Sequence, residues 1–130
     1  MKEQLISFET AKLAKEKGFN HIGSYIFIDN KLKNIHKNKE AKALMTQVIL
    51  GIEEDTNLYL SPTQSLLQKW LREEHRIEIW LGKGDVNGDK YHCEDITLNN
   101  ILFIEDSEMF NTYEEALEKG LQEALKIIKI

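Results

Sequence analysis

Apolar residues recur at helical spacing in several places along the 130-residue chain, and at every second position in stretches between them. Phe8, Ala11 and Ala14, with Leu13 beside them, mark one side of a helix over 7–17. Ser7 precedes it as an N-cap, Glu9 lies at the positive end of its dipole, and Gly18 follows where a residue of positive φ ends a helix. "SYIFID" at 24–29 predicts a strand and Asp29-Asn30 a turn. A second strand through Leu32 and Ile35 carries so many lysines that it suits only a sheet edge. Residues 40–52, "EAKALMTQVILGI", join a helix-favouring start to the strand-favouring Val48-Ile49-Leu50, and helix is the preferred reading.

Residues 61–75, "SPTQSLLQKWLREEH", have the grammar of a helix start. Ser61 is the expected N-cap, Pro62 occupies the first helical position, and Gln64 reaches back to the Ser61 amide. Leu66, Leu67, Trp70 and Leu71 then form a broad apolar stripe. After His75 the period falls to two, which predicts antiparallel strands near 76–81, 90–96 and 100–105. Thr112 and Glu115 make a capping box for a final helix over 113–128, whose apolar face runs through Ala116, Leu117, Gly120, Leu121, Ala124, Leu125 and Ile128. Glycine inside a helix costs about 1 kcal/mol relative to alanine. Its place on the buried face therefore predicts a close backbone approach at Gly120. Together these elements predict an α+β fold: a small antiparallel sheet of three to five strands, packed on one face by the amphipathic helices at 7–17, 62–75 and 113–128. No linker or repeat divides residues 1–130, so one domain is expected.

Composition narrows the class. The chain is 42% hydrophobic and 30% charged with one proline, as in folded proteins. No apolar run is long enough to span a bilayer, and the start lacks the features of a secretory signal. The lone cysteine, Cys93, excludes an internal disulfide and agrees with a cytoplasmic setting. Net charge is −5, yet residues 1–42 hold nine lysines against five acids. The excess gathers in "KLKNIHKNKEAK", where Lys31, Lys33, Lys37, Lys39 and Lys42 face a single glutamate. Such a segment attracts phosphate or an acidic partner over a distance, which makes these lysines candidate binding residues. Trp80 joins them if the strand turns its indole outward, a point that alternation alone leaves open.

Several motifs weaken when weighed. The order of elements resembles a winged helix with 62–75 as reading helix, but "EEDTNLYLS" is too long a connection for a helix-turn-helix, and glutamates offset the basic residues of the helix. "DVNGD" at 85–89 alternates oxygen ligands like a calcium loop, yet the glycine and bidentate glutamate positions are Lys90 and Ile96. Asn87-Gly88 is a hairpin turn signal instead. His92 and Cys93 are adjacent in a strand, point to opposite faces and cannot easily share a metal ion. The acid pairs lack the differentiated settings of general acid–base chemistry, and "GKG" at 82–84 opens no helix to bind phosphate. No catalytic residue, metal site or cofactor is assigned.

"ISFETAKLAKEKGF", "SPTQSLLQKWLREEH" followed by "IEI", and "TYEEALEKGLQEALKII" resemble three blocks of a family of small uncharacterised proteins from Bacteroides-type gut bacteria and their phages. The resemblance implies a small cytoplasmic protein of phage or mobile-element origin, and carries over no functional residue. The leading expectation is thus a non-enzymatic binding protein, an accessory factor that engages a host protein or other host macromolecule from the host cytoplasm. Two alternatives stand beside it: a winged-helix-like nucleic-acid binder, and a protein that sequesters a small ligand such as a nucleotide. No membrane partner is expected.

Overall fold

The computed structural model describes residues 4–54, 57–84, 90–105 and 108–129. It has the α+β class, with its strands divided between two three-stranded antiparallel sheets. Backbone contacts group the chain into two compact units, Leu5–Thr63 and Gln64–Ile130, the latter joined by Met1–Gln4.

In the first unit, α1 (Phe8–Glu16) is followed by β1 (Tyr25–Ile28), β2 (Lys31–Asn34), α2 (Lys39–Leu50) and β3 (Leu58–Leu60). The Ser7 hydroxyl accepts from the Thr10 amide, and Gly18 takes a φ of +92° after the last turn of α1. Asp29 and Asn30 sit at φ 50° and 68°, the left-handed pair that a tight hairpin between β1 and β2 requires. Asparagine and aspartate tolerate this region better than other side chains do. The sheet order β2-β1-β3 leaves the lysine-rich β2 at an edge.

The sequence gives no warning of β3, because three residues are too few to establish a period. Tertiary packing creates it: Leu58 and Leu60 are buried opposite Ile28 and Ile26, while the Phe8 ring meets the edges of Phe27 and Tyr59 at 5.3 and 5.4 Å. The Lys15 ammonium donates to the Leu58 carbonyl at 2.8 Å, lies 3.6 Å from the Glu53 carboxylate and sits over the Tyr59 ring. Helix wins over strand in α2 because both ends are fixed. Asn38 accepts from the Ala41 amide, and Gly51 at φ +72° closes the last turn.

In the second unit, α3 (Gln64–His75) leads into β4 (Ile77–Lys83), β5 (Tyr91–Leu98), β6 (Ile101–Glu105) and α4 (Tyr113–Ile127). The sheet order is β4-β5-β6, and both α3 and α4 pack against it. Asn99 and Asn100, at φ 53° and 66°, repeat the left-handed pair between β5 and β6. The hairpin signal at 85–89 lies outside the described residues.

One expectation about α3 is corrected. The helix begins at Gln64, and neither Ser61 nor Gln64 caps it. Ser61 is buried in the first unit, where its hydroxyl donates to the Ile6 carbonyl. The buried Gln64 amide instead donates to the Glu114 carbonyl and the Glu118 carboxylate, both at 2.9 Å. A buried amide left unpaired would cost about 1–3 kcal/mol. Partners on the first turns of α4 therefore outbid a solvent-exposed cap.

The final helix follows expectation closely. The Thr112 hydroxyl accepts from the Glu115 amide and donates to the Glu115 carboxylate, both at 3.1 Å. Every residue of its predicted apolar face is buried. A Cβ placed on Gly120 would stand 2.8 Å from Ile79 Cγ2 and 3.1 Å from Cys93 Sγ, both in the core. Gly120→Ala should therefore lower stability by about 1 kcal/mol, since overpacking of about 1–3 kcal/mol exceeds the gain in helix propensity. In an Ile79→Leu background, which lacks the Cγ2 branch, the same change should cost less. Thermal and denaturant unfolding of the four proteins measures both effects, and a stabilised G120A would refute the close contact.

Candidate interaction surfaces

The lysine-bearing segment is shaped by short-range hydrogen bonds. The Asn34 side-chain carbonyl accepts from the His36 amide at 2.8 Å, Ile35 is buried with its amide on the Ser24 carbonyl, and His36 Nε2 lies 3.3 Å from Ser24 Oγ. These contacts lead the edge strand into the capped start of α2. Lys31 and Lys33 stand opposite Ile28 and Ile26 on β2, Lys37 is in the turn, and Lys39 and Lys42 occupy the beginning of α2. Lys31, Lys37, Lys39 and Lys42 are exposed, and Lys33 is half-buried. None of the five forms an ion pair among the described residues. Two of the cations sit where the helix dipole is already positive, with Glu40 as the acid of the same turn.

Trp80 faces outward, at 51% exposure. Its neighbours in the strand, Ile77 and Ile79, are buried with Ile96, and the alternate residues Glu78 and Trp80 stand opposite Thr97 and Asp95. Trp80 belongs to the second unit and the lysines to the first. The structure adds apolar residues that sequence reasoning did not single out. Ile101, Leu102 and Phe103 on β6 are 70%, 53% and 56% exposed. A signal was present in the unbroken run "ILFI", because a strand with one solvent face ordinarily alternates.

Chemistry elsewhere in the second unit is sparse. Cys93 is buried against the Gly120 position, whereas the His92 ring lies over Gly82 and Gly84 on the other side of the strand. His92 Nδ1 is buried without a hydrogen-bond partner among the described residues. Among those residues no three His, Cys, Asp or Glu side chains gather as metal ligands. In α3, Gln64, Leu67, Trp70 and Leu71 are buried. The polar residue at its start is thus committed to α4 rather than free to contact bases. No helix among the described residues is long and apolar enough to cross a membrane.

Comparison with protein-family models, curated proteins and solved structures returned no match for the chain.

The two tryptophans should be separable by fluorescence. Trp70 is 6% exposed and meets His75 edge-on at 4.7 Å, in contrast to the open indole of Trp80. Trp70→Phe should leave a red-shifted emission readily quenched by iodide, and Trp80→Phe a blue-shifted emission that iodide hardly reaches. Equal quenching of the two variants would contradict the outward placement of Trp80.

Proposed function

We propose that the protein is a non-enzymatic binding protein that engages an acidic surface of a host macromolecule, in the phage or mobile-element setting implied by the three sequence blocks. Its place of action on this reading is the host cytoplasm. The observation that carries the proposal is the row of Lys31, Lys33, Lys37, Lys39 and Lys42 along β2, the turn and the start of α2, with no described carboxylate paired to any of them. Surface charges are usually interspersed with opposite ones, which lowers their self-repulsion. A cationic row within a chain of net charge −5 gives the molecule a preferred approach direction toward an acidic partner. At physiological salt the attraction reaches about 8 Å, enough to steer an encounter but dependent on close contact for affinity.

A protein partner is favoured over nucleic acid because the exposed face of α3 carries Glu73 and Glu74 beside Lys69 and Arg72, and so offers phosphates no net positive charge. A photo-crosslinking residue at position 37, exposed in host cytosol, tests the reading. It should recover a recurrent acidic protein, with capture falling at least about tenfold when Lys31→Glu/Lys39→Glu/Lys42→Glu is added to the crosslinking variant, and in high salt. Absence of a recurrent partner, or capture indifferent to charge reversal, would count against it. A salt-sensitive mobility shift with duplex DNA would move the assignment to nucleic acid, and a raised melting temperature with a nucleotide would move it to ligand sequestration.

A further inference from the structure

We infer that the outward face of the β4-β5-β6 sheet, centred on Trp80, is a docking surface for an arginine-bearing basic segment of another protein. Antiparallel register sets Trp80 opposite Asp95, and Glu78 lies two residues back on the same face of β4. The Cβ atoms of cross-strand partners stand about 5 Å apart, within reach of a long side chain laid across them. The register shift beside Trp80 leaves Glu94 as an extra residue on β5, and such a bulge re-aims a side chain. A Cβ built on Gly82, two residues beyond Trp80, would stand 3.2 Å from Glu94 Oε2 and 3.2 Å from His92 Cε1. The glycine thus leaves the space into which that carboxylate leans.

The indole is half exposed, and three acids share its surroundings. Neither Glu78, Glu94 nor Asp95 forms an ion pair among the described residues, and Lys83 of the same strand is engaged over the Tyr91 ring. An open indole attracts a cation through its electron-rich face, arginine more often than lysine. A guanidinium can lie flat on that ring while its N–H groups donate in pairs to a carboxylate, which an ammonium cannot match. Charge complementarity therefore selects the occupant. The same acids repel the phosphates of nucleic acid or of an anionic lipid, and the like face of a second copy. This surface goes beyond the lysine segment, since its charge has the opposite sign and it lies in the second unit.

Fluorescein-labelled hexaarginine, hexalysine and a glycine-serine hexapeptide, titrated with the full chain by anisotropy at about 150 mM salt, test this. Hexaarginine should bind at least about threefold more tightly than hexalysine, with no binding of the neutral peptide. Trp80→Leu should weaken hexaarginine at least about fivefold and abolish its advantage over hexalysine. Trp80→Phe serves as the second variant should W80L not fold, and is expected to give a smaller loss in the same direction. Glu78→Gln/Asp95→Asn should weaken binding at least about fivefold, whereas Glu73→Gln/Glu74→Gln, which removes equal charge from the exposed face of α3, should change it less than about twofold. In Trp70→Phe, where Trp80 is the one remaining indole, emission should change in step with hexaarginine occupancy. Undiminished binding by W80L and W80F, equal losses in the two acid pairs, or Trp80 emission unmoved at saturation would each overturn the proposal. So would sedimentation showing a dimer that W80L abolishes, which would give the face to a second copy. None of these outcomes bears on partner capture by the lysine segment.

Discussion

The absent side chain at Gly120 sets how near α4 lies to β4 and β5, and much of the second unit follows from that spacing. With Ile79 and Cys93 occupying the space a methyl group would need, the helix and sheet share a core with little slack. Protein interiors are packed about as densely as organic crystals, so an extra methyl here has nowhere to go. The neighbouring turns of α4 then bury Leu117, Leu121 and Leu125, while its first turns offer the acceptors that hold the Gln64 amide. One glycine thus links the position of α4 to the start of α3. The intrinsic cost of glycine in a helix is outweighed by the contact it permits.

Each unit resolves the problem of its sheet edges differently. In the first, the exposed edge is β2, and its lysines are both protection against strand pairing and the most conspicuous charge on the chain. A single set of residues can therefore keep copies apart along that edge and remain available to an acidic partner. In the second unit β6 lacks such protection, and only the local bend at Phe103 tempers it. The outward Trp80 lies on the face of that same sheet, opposite Asp95, so polar and apolar groups alternate across it rather than forming one continuous patch.

Most helices were legible in the sequence because their signals are local. Ser7 and Thr112 each accept an amide three residues ahead, and Gly18 takes the left-handed conformation that ends α1, whereas the cap of α2 at Asn38 and its stop at Gly51 were not read from the sequence. The apolar face of α4, Gly120 included, also followed from spacing alone. What escaped was set by distant partners. β3 exists because Leu58 and Leu60 pair with β1, and Ser61 and Gln64 abandoned the cap their spacing suggested for buried partners far along the chain. For the candidate surfaces, the lysines could be listed from composition, but the outward turn of Trp80 depended on which face α3 and α4 cover. Leu102 and Phe103 were overlooked because an apolar strand with no alternation looks buried until its neighbours are placed.

Cys93 gives the protein an internal clock. The only thiol of the chain is enclosed where α4 approaches its sheet, so a thiol reagent in solution cannot reach it while that layer stays closed. When reclosing is faster than labelling, the modification rate reports the population of molecules in which helix and sheet have parted. The unaltered chain can thus record the breathing of its own core, with no foreign probe built in.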